Sequence, residues 1–272
     1  MSGIVTVTIT GGLGNQLFQI AAAYAYAKRH SIELQILSHK TEYDGRSTYW
    51  YSILSRLQPY LVTTLPDRLS KWYEQAATVY SPIPEYNSLH IAGYLQSSKY
   101  FKDYANEIKE LYKLNEDQVY MLNSKYPQLV ENKDKMVVVH ARRTDYTKND
   151  GMIQFHGPLT DDYYQRAIAA MVARISNPCF LLVADDPSYW ISMTSKIKEL
   201  KDNPCYILSD ETDINTFALL QQFHYYIIAN STFSWWAAWL ADAKHVIAPK
   251  RWFGPSGPKE WEDIYEAEWE RT

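Results

Sequence analysis

The second half of the chain alternates short apolar runs with segments of helical periodicity. Helical patterns lie at 160–175 and roughly at 187–201, 213–223 and 232–241. The apolar runs beside them are MVVVH at 136–140, CFLLVA at 179–184, CYIL at 205–208, YYIIA at 225–229 and HVIA at 245–248. Runs that are apolar on both faces and alternate with helices predict a parallel sheet covered on both sides. The sequence therefore predicts a Rossmann-like α/β domain, which binds ligands outside the carboxyl ends of its strands.

Polar side chains follow four of these predicted strands. They are His140, Arg142, Arg143 and Asp145 after the first, Asp185 and Asp186 after the second, Ser209 and Asp210 after the third, and Asn230, Ser231, Thr232 and Ser234 after the fourth. Helix capping is the simpler explanation for Asp210 and Ser231. Capping does not explain Arg142 and Arg143, because cations at a helix N-terminus oppose its dipole. An anion between the arginines and a helix N-terminus would satisfy both, and the simplest such anion is the diphosphate of a nucleotide.

The first half opens with a predicted strand at 4–9 (IVTVTI), the loop GGLGNQ and an Ala-rich helix that ends in cations. No GK[ST] follows the loop, and Leu17 stands where a dinucleotide-binding loop has its third glycine, so a plain tight turn explains it equally well. Asn15 and Gln16 nevertheless add amide groups that a plain turn does not need. A further strand is expected at 33–37, a strand and turn at 90–97, and a helix at 98–114.

Composition restricts the class of protein. The chain has 272 residues, 46% of them hydrophobic, and a net charge of −4, which argues against a general polyanion binder and makes the arginine pair a local site. The two cysteines, Cys179 and Cys205, lack metal-ligand spacing and are expected to be buried thiols. No apolar stretch reaches the length of a membrane helix, and the N-terminus lacks the basic start of a signal peptide. We therefore expect a cytoplasmic protein with at most peripheral contact to the inner face of the membrane.

Five motifs of the sequence, taken in order, resemble those of a known protein family. The ordered motifs that carry the resemblance are GGLGNQLFQ, GYLQSSKYF, HARRTDY, NSTFSWWAAWL and VIAPKRWF. Together they resemble the α-1,2-fucosyltransferases of glycosyltransferase family 11, although HARRTDY stands where HIRRGDY is frequent and VADD where SDD is frequent. The resemblance implies a GT-B fold, in which two facing Rossmann-like domains with mostly parallel sheets hold GDP-fucose in a cleft, and it implies no cofactor and no required metal.

The expected domains are an N-terminal, acceptor-side domain over 1–133, which carries the GGLGNQ loop, and a GDP-fucose-binding domain over 134–250. A C-terminal tail over 251–272 can pack back on the N-terminal domain. The boundary is placed at the charged segment ENKDK, 131–135, which lacks large apolar residues. The irregular, proline-containing stretch 38–88 is expected to shape the acceptor pocket.

The resemblance and the charge argument together suggest roles for individual residues. Arg142 and Arg143 are assigned to the diphosphate; if only one of them binds phosphate, the other is expected to brace Asp145. His140 is expected to contact the nucleotide or its ribose, the alternative being a buried structural histidine. Asp185 is similar to the acidic residue that binds guanine in related fucosyltransferases, the alternative being a helix cap. The remaining donor-binding candidates are Gly12, Asn15, Gln16, Ser231, Thr232 and Ser234.

The general base is the open question of the sequence. Transfer with inversion in one step needs a group that accepts the proton of the acceptor hydroxyl. Asp145 and Asp150 are the candidates; an arginine partner would make Asp145 the weaker base, and Asp150 lies in a polar stretch, TKNDGMIQFHG, that reads as a mobile loop. Asp150 is preferred, with His156 as a third candidate.

The function implied is transfer of L-fucose from GDP-β-L-fucose to the 2-hydroxyl of a terminal galactoside. Its partners are then GDP-fucose and a galactose-containing oligosaccharide, with no nucleic acid, and its setting is surface-polysaccharide or O-antigen synthesis. The alternatives are a fucosyltransferase of another linkage or acceptor, such as α-1,6, and a non-catalytic carbohydrate- or nucleotide-binding protein. Paired arginines argue against a pure lectin, because neutral sugars offer them no counter-charge.

Overall fold

The structure of the protein is a computed structural model that describes residues 3–40 and 45–272. The chain divides into two compact units. Unit 1 extends to Lys113 and includes Glu260–Glu266. Unit 2 comprises Leu114–Lys259 and Ala267–Thr272. The chain therefore passes from unit 2 back to unit 1 and ends in unit 2.

Unit 1 is built on a parallel sheet. Its elements are β1 (Ile4–Val7), α1 (Leu13–His30), β2 (Glu33–Leu34), β3 (Ile36–Leu37), β4 (Leu61–Val62), β5 (Ser70–Tyr73), β6 (Ser88–Ala92) and α2 (Ala105–Leu111), with 3₁₀ turns at Ser55–Tyr60, Ser98–Tyr100, Lys102–Tyr104 and, from the C-terminal segment, Glu262–Ile264. The four-stranded sheet has the order β2-β1-β6-β5, and β3 pairs with β4 separately. All of these pairings are parallel.

The long helix α1 is the core of unit 1. Every residue from Gln16 to Ala27 is buried, and the alanines allow close packing on both sides. The helix ends where Lys28, Arg29 and His30 place positive charge at the negative end of its dipole and Ser31 adopts the left-handed conformation.

Unit 2 is a doubly wound α/β structure. Its elements are α3 (Glu116–Lys125), α4 (Pro127–Glu131), β7 (Met136–Ala141), α5 (Asp150–His156), α6 (Asp161–Arg174), β8 (Cys179–Ala184), α7 (Pro187–Thr194), α8 (Lys198–Asp202), β9 (Cys205–Leu208), α9 (Asp213–Leu220), β10 (Tyr225–Ile227), α10 (Thr232–Leu240), β11 (His245–Ala248) and β12 (Glu270–Arg271), with a 3₁₀ turn at Lys133–Lys135. The six-stranded sheet has the order β12-β11-β10-β7-β8-β9, and every pairing is parallel. The chain order reverses between β7 and β10, which is where sheets of this kind bind ligands.

The five strands predicted for unit 2 are confirmed as β7 to β11, and the helices predicted at 160–175, 213–223 and 232–241 are confirmed nearly in position as α6, α9 and α10. The sequence did not predict α3, α4, α5 or β12. All six residues of β7 are buried, as expected for a strand covered on both faces. Its inward side chains pack with Phe180 and Leu182 of β8 and with Tyr164 and Ile168 of α6. This core holds the carboxyl end of β7 in place. Cys179 and Cys205 are free thiols, the first buried and the second half-buried.

Several expectations differ from the structure. The stretch expected as a mobile loop is largely the helix α5, which Asn149 begins by accepting the backbone N–H of Met152. Only Ala105–Leu111 of the expected helix 98–114 is α-helical, because two 3₁₀ turns before it bury Tyr100 and Phe101. The expected helix over 187–201 is two helices, α7 and α8.

The unit boundary also differs from the boundary expected at 133/134. It falls at 113/114, because α3 and α4 belong to unit 2. Gln118 Nε2 donates to Asn215 of α9 at 3.0 Å, and Lys125 and Tyr126 both contact the Glu211 carboxylate. The charged segment 131–135 is not a linker but a tight turn that leads directly into β7.

Truncation of Leu182 tests the assigned core of unit 2. Leu182 is fully buried, so Leu182→Ala should lower the free energy of unfolding of unit 2 by about 3 kcal/mol through lost burial and the cavity that remains. Ile191 on α7 is 63% exposed, and Ile191→Ala should change the free energy of unfolding by less than about 0.5 kcal/mol. Urea titrations of both variants make the comparison. Equal effects would contradict the assigned core.

Candidate functional site

The polar residues of the HARRTDY segment begin at the carboxyl end of β7, beside the point where the strand order reverses. β7 ends at Ala141, and the chain then leaves the sheet between β8 on one side and β10 on the other. The residues that follow β8 and β10 reach the same edge. The structure thus brings together the segments at 142–146, 185–186 and 230–234, as the sequence predicts.

Arg142 is held by two carboxylates. Its Nε and Nη2 donate to the two oxygens of Asp145 at 2.8 and 2.7 Å, a bidentate arrangement. Its Nε also lies 3.3 Å from Oδ2 of Asp185. The hydrogen bonds to Asp145 and the charges of both carboxylates raise the pKa of Arg142 against the opposing effect of burial. The positive charge of Arg142 is therefore compensated within the protein.

Asp185 fixes the backbone after β7. Its Oδ1 accepts the N–H of Arg143 at 2.7 Å, and its Oδ2 accepts the N–H and the hydroxyl of Thr144 at 3.1 and 2.6 Å. With Arg142 nearby, the lone pairs of this carboxylate are almost fully used. The capping role falls to its neighbour Asp186, which accepts the N–H of Ser188 at the start of α7. The contacts of Asp185 favour a bracing role over the guanine contact that the resemblance suggested.

Arg143 differs from Arg142 in its partners. Its Nη1 donates to the carbonyl of Leu159 at 3.0 Å, and its guanidinium lies over the ring of Tyr189, 4.6 Å from the centroid. No carboxylate of residues 3–40 or 45–272 forms an ion pair with it. The side chain is half-buried and held in a fixed position, yet its charge is not neutralised. A positioned cation of this kind is suited to an anionic ligand.

His140 lies inside the sheet edge. It is 4% exposed, and its Nδ1 shares a hydrogen bond of 3.0 Å with the hydroxyl of Ser234 on α10. Burial, assisted by the charge of Arg142, lowers the pKa of His140 to about 4. The imidazole is therefore neutral near neutral pH and connects β7 to α10. These contacts match the alternative of a buried structural histidine, whereas a contact to the nucleotide stays a prediction.

The start of α10 lies at the same edge. Ser231 is the N-cap residue, but its side chain makes no capping hydrogen bond, so the capping role expected for it is wrong. Ser231 and Ser234 are buried, and Thr232 is half-buried. The first backbone N–H groups of a helix have no intrahelical partner and carry partial positive charge, so this helix end can bind an anion.

Asn230 and Tyr146 organise the site, and the sequence analysis gave neither of them a role. The side-chain Nδ2 of Asn230 donates to the carbonyls of His156 and Trp252 at 2.7 and 2.9 Å, and the backbone carbonyl of Asn230 accepts the Tyr146 hydroxyl at 3.0 Å. The Tyr146 ring stacks on His156 at 4.1 Å with an interplanar angle of 5°. The sequence signal that could have identified them was their position in the motifs, Tyr146 in HARRTDY and Asn230 in NSTFSWW.

The three candidates for the base have different surroundings. The Asp145 carboxylate is bound by Arg142. His156 is the last residue of α5, and burial lowers its pKa. Asp150 is the first residue of α5, is exposed and has no hydrogen bond or ion pair within the part of the chain that the structure describes. Of the two carboxylates, Asp150 is the one without an arginine partner among the described residues.

The GGLGNQ loop has backbone and hydrogen-bonding features that the sequence alone did not determine. Gly11, rather than Gly12, has the left-handed conformation that favours glycine, with φ of +77°. A Cβ on Gly12 would meet no atom within 4 Å, so the backbone there is open. Gln16 is fully buried, and its Nε2 donates to the carbonyls of Gly11 and Ser47, which gives it a structural role. Its role toward a donor stays a prediction.

Two sequence motifs of unit 1 are joined by hydrogen bonds. Oδ1 of Asn15 in the GGLGNQ loop accepts the Gln96 side chain of the GYLQS turn at 3.0 Å. The turn itself is held by Glu74, whose carboxylate accepts the N–H groups of Tyr94 and Leu95 at 2.7 and 3.0 Å. A side chain at Gly93 would collide with Glu74, which explains the glycine. Asn15 is thus committed within unit 1, and its role toward a donor stays a prediction.

Two further properties concern metals and membranes. Within residues 3–40 and 45–272, no three His, Cys, Asp or Glu side chains are grouped so that they could hold a metal ion. Among the described helices, none combines the length and apolar character needed to cross a bilayer.

Comparison with known proteins places the chain among glycosyltransferases. The profile of the family described as "Glycosyl transferase family 11" matches residues 65–272. An Escherichia coli protein named alpha-1,2-colitosyltransferase is 27% identical over 275 residues, which is 92% of each chain. The Escherichia coli O-antigen biosynthesis glycosyltransferase WbnK is 26% identical, with 90% of this chain and 93% of the relative covered. The Bos taurus galactoside 2-alpha-L-fucosyltransferase SEC1 is 27% identical over 90% of this chain and 66% of its own length.

Solved structures resemble the chain in fold. NodZ alpha-1,6-fucosyltransferase soaked with GDP-fucose gives a TM-score of 0.56 at 14% identity, with 92% of this chain and 96% of that chain covered. POFUT1 in complex with GDP gives a TM-score of 0.55 at 14% identity over 88% and 94%. At this identity the likeness shows the fold alone, and it confirms the GT-B-like class with Rossmann-like units and mostly parallel sheets.

The protonation of His140 tests the description of the sheet edge. A histidine whose pKa is lowered on folding binds fewer protons in the folded than in the unfolded state. The free energy of unfolding should therefore fall as the pH drops from the ordinary pKa of 6.5 towards about 4. In nuclear magnetic resonance spectra, the His140 imidazole, identified with a His140→Gln variant, should remain neutral at about pH 5. A titration midpoint near 6.5 would show that the imidazole is not buried as described.

Proposed function

The chain belongs to glycosyltransferase family 11, and we propose that it transfers L-fucose from GDP-β-L-fucose to the 2-hydroxyl of a terminal galactoside with inversion. One observation carries the proposal at the level of residues. Arg143 is a fixed, half-buried cation with no carboxylate partner among residues 3–40 and 45–272, at the carboxyl edge of a Rossmann-like sheet where nucleotides bind. The relative named galactoside 2-alpha-L-fucosyltransferase supports the linkage, and the Escherichia coli relative named O-antigen biosynthesis glycosyltransferase WbnK supports a setting in O-antigen synthesis.

The proposed reaction places the largest demand on the leaving group. Cleavage of the fucose–phosphate bond gives the sugar oxocarbenium character and leaves negative charge on the departing diphosphate. Arg143 and the N–H groups at the start of α10 can neutralise this charge, because they are fixed before the reaction and need no reorganisation. Arg142 is assigned instead to bracing Asp145, the alternative that the sequence analysis held open. The Thr232 and Ser231 hydroxyls are proposed as further phosphate contacts.

The acceptor hydroxyl must lose its proton as the new bond forms. Asp150 is proposed as the base. Asp145 is the weaker proton acceptor, because its bidentate contact with Arg142 stabilises the charged form of its carboxylate. Asp145 then acts as a positioning residue through Arg142. The reaction is proposed to proceed without a metal, with cations of the protein in the role that Mg²⁺ has in other enzymes.

Colitosyl transfer is the second candidate. The relative named alpha-1,2-colitosyltransferase covers the chain as fully as any of the three relatives described here. The donor sugar is therefore tested directly by offering GDP-fucose and GDP-colitose in competition over one panel of galactosides. Linkage analysis of the product would separate the α-1,2 proposal from another linkage.

Removal of the Arg143 guanidinium should slow transfer by roughly a hundredfold, since a charged contact to the leaving group contributes about 3 kcal/mol to the barrier. The matched control is Arg166→Ala, which removes an exposed arginine of α6 that pairs with Asp162. Calorimetry should show GDP binding to the wild type that EDTA does not diminish, and weaker binding to Arg143→Ala. Near-wild-type turnover of Arg143→Ala would refute the phosphate assignment, and absence of GDP binding by the wild type would refute the proposed function.

Replacement of the proposed base should affect turnover but not donor binding. Asp150→Asn should lower kcat by a factor of about 10² to 10⁴ and leave the affinity for GDP unchanged. Asp145→Asn should lower both, because Arg142 loses its bidentate partner beside the site. Asp202→Asn on α8 is the control for removal of an exposed carboxylate. If Asp145→Asn alone lost turnover while Asp150→Asn kept it, the base would have to be reassigned to Asp145.

A further inference from the structure

Unit 1 contains a cavity of about 410 Å³ beside the second half of α1. Its lining comes from unit 1 alone, and its volume lies in the range of about 300–1,000 Å³ that is usual for small-molecule sites. None of the motifs assigned to sugar transfer in unit 2 takes part in it.

The cavity is positively charged. Arg29, Lys99 and Lys102 line it, and Asp103 is the carboxylate among its lining residues within the described chain. Asp263 pairs with Lys99 from behind the lining, so three cations stand against two carboxylates. This excess of positive charge stands against the overall net charge of −4. The dipole of α1 accounts for Arg29 in its last turn but not for the two lysines, which belong to separate 3₁₀ turns. A local surplus of cations is suited to an anionic ligand.

The internal partners of these cations leave donors available. Arg29 Nη2 lies 3.6 Å from Asp103 and 3.4 Å from the carbonyl of Tyr100, so most of its five N–H groups remain. Lys99 Nζ donates to Asp263 at 2.5 Å and keeps two further N–H groups. Lys102 is exposed and has neither an ion pair nor a hydrogen bond to any residue that the structure describes.

The wall of the cavity is fixed by the segment that returns from unit 2. Asp263 binds Lys99 through one oxygen and accepts the Tyr80 N–H through the other at 2.8 Å. The rings of Tyr80 and Tyr100 meet edge to face at 4.9 Å, and the Tyr100 hydroxyl accepts the Ser81 N–H at 3.2 Å. Such a wall needs little reorganisation when a ligand binds.

We propose that this cavity is a second ligand site, separate from the sugar-transfer site, and that it binds a phosphate ester. The phosphate lies against Arg29, Lys99 and Lys102, and the attached group lies against the tyrosine rings and Pro82. The cations can bind the phosphate through charged hydrogen bonds. The aromatic rings can pack against the ring or chain that is attached to the phosphate. A soluble sugar phosphate and a phospholipid headgroup share this chemistry.

The test uses one probe for each source of phosphate and is run on the wild type and on Arg143→Ala, in which the proposed diphosphate site is weakened. Glucose 1-phosphate is titrated into the full-length protein by calorimetry. Phosphatidylcholine vesicles with and without phosphatidic acid are used for cosedimentation. We expect one of the two probes to bind. Lys102→Gln and Arg29→Gln should each weaken binding about tenfold, as expected for loss of one charged hydrogen bond.

The matched control is Lys201→Gln, which removes an exposed lysine of α8 in unit 2 and should leave binding unchanged. Thermal melting of each variant verifies that it folds. Absence of binding by either probe, binding that both cavity variants leave intact, or equal loss in the Lys201→Gln variant would each overturn the proposal. Because GDP binding and transfer are measured separately, failure here is distinguishable from failure of the proposed transferase activity.

Discussion

The contacts of the Asp185 carboxylate are the constraint on which the unit 2 site depends. Asp185 accepts two consecutive backbone N–H groups after β7 and lies beside Arg142, so it fixes where the chain turns away from the sheet. With Arg142 compensated by Asp145 and Asp185, the neighbouring Arg143 carries the positive charge that remains available. Two adjacent arginines therefore have opposite tasks. Arg142 belongs to the structure that holds the turn, and Arg143 is the residue proposed to bind an anion.

Further hydrogen bonds between buried polar side chains surround the turn that Asp185 holds. His140 and Ser234 link β7 to α10, and Asn230 links the end of β10 to α5 and to the segment at Trp252. These hydrogen bonds satisfy groups that would otherwise be costly to bury. They also set the positions of α10 and α5 relative to Arg143. The proposed phosphate contact and the proposed base are thus placed by one connected set of hydrogen bonds at the point where the strand order reverses.

The sequence was sufficient where local pattern and tertiary structure agree. Continuous apolar runs predicted β7 to β11 because strands covered on both faces admit few polar residues, and the polar clusters that follow them were placed correctly at one edge. The pattern failed where tertiary packing decides. Burial of Tyr100 and Phe101 replaces one expected helix with 3₁₀ turns, and the Asn149 cap makes a helix of a stretch that resembles a loop. The different tasks of Arg142 and Arg143 depend on distances to carboxylates, which spacing along the chain does not contain.

The chemistry of the arginine side chain accounts for its presence at both positions. Arg142 binds Asp145 through two parallel hydrogen bonds, which the planar guanidinium can form and a lysine ammonium cannot. The Arg143 guanidinium lies over the ring of Tyr189 while one nitrogen donates to the Leu159 carbonyl, and these two contacts hold the group in place. A lysine would carry the same charge at either position without the fixed geometry. The proposed function of the site therefore depends on direction as well as charge, because a leaving diphosphate would be stabilised by donors that are already in place when its charge appears.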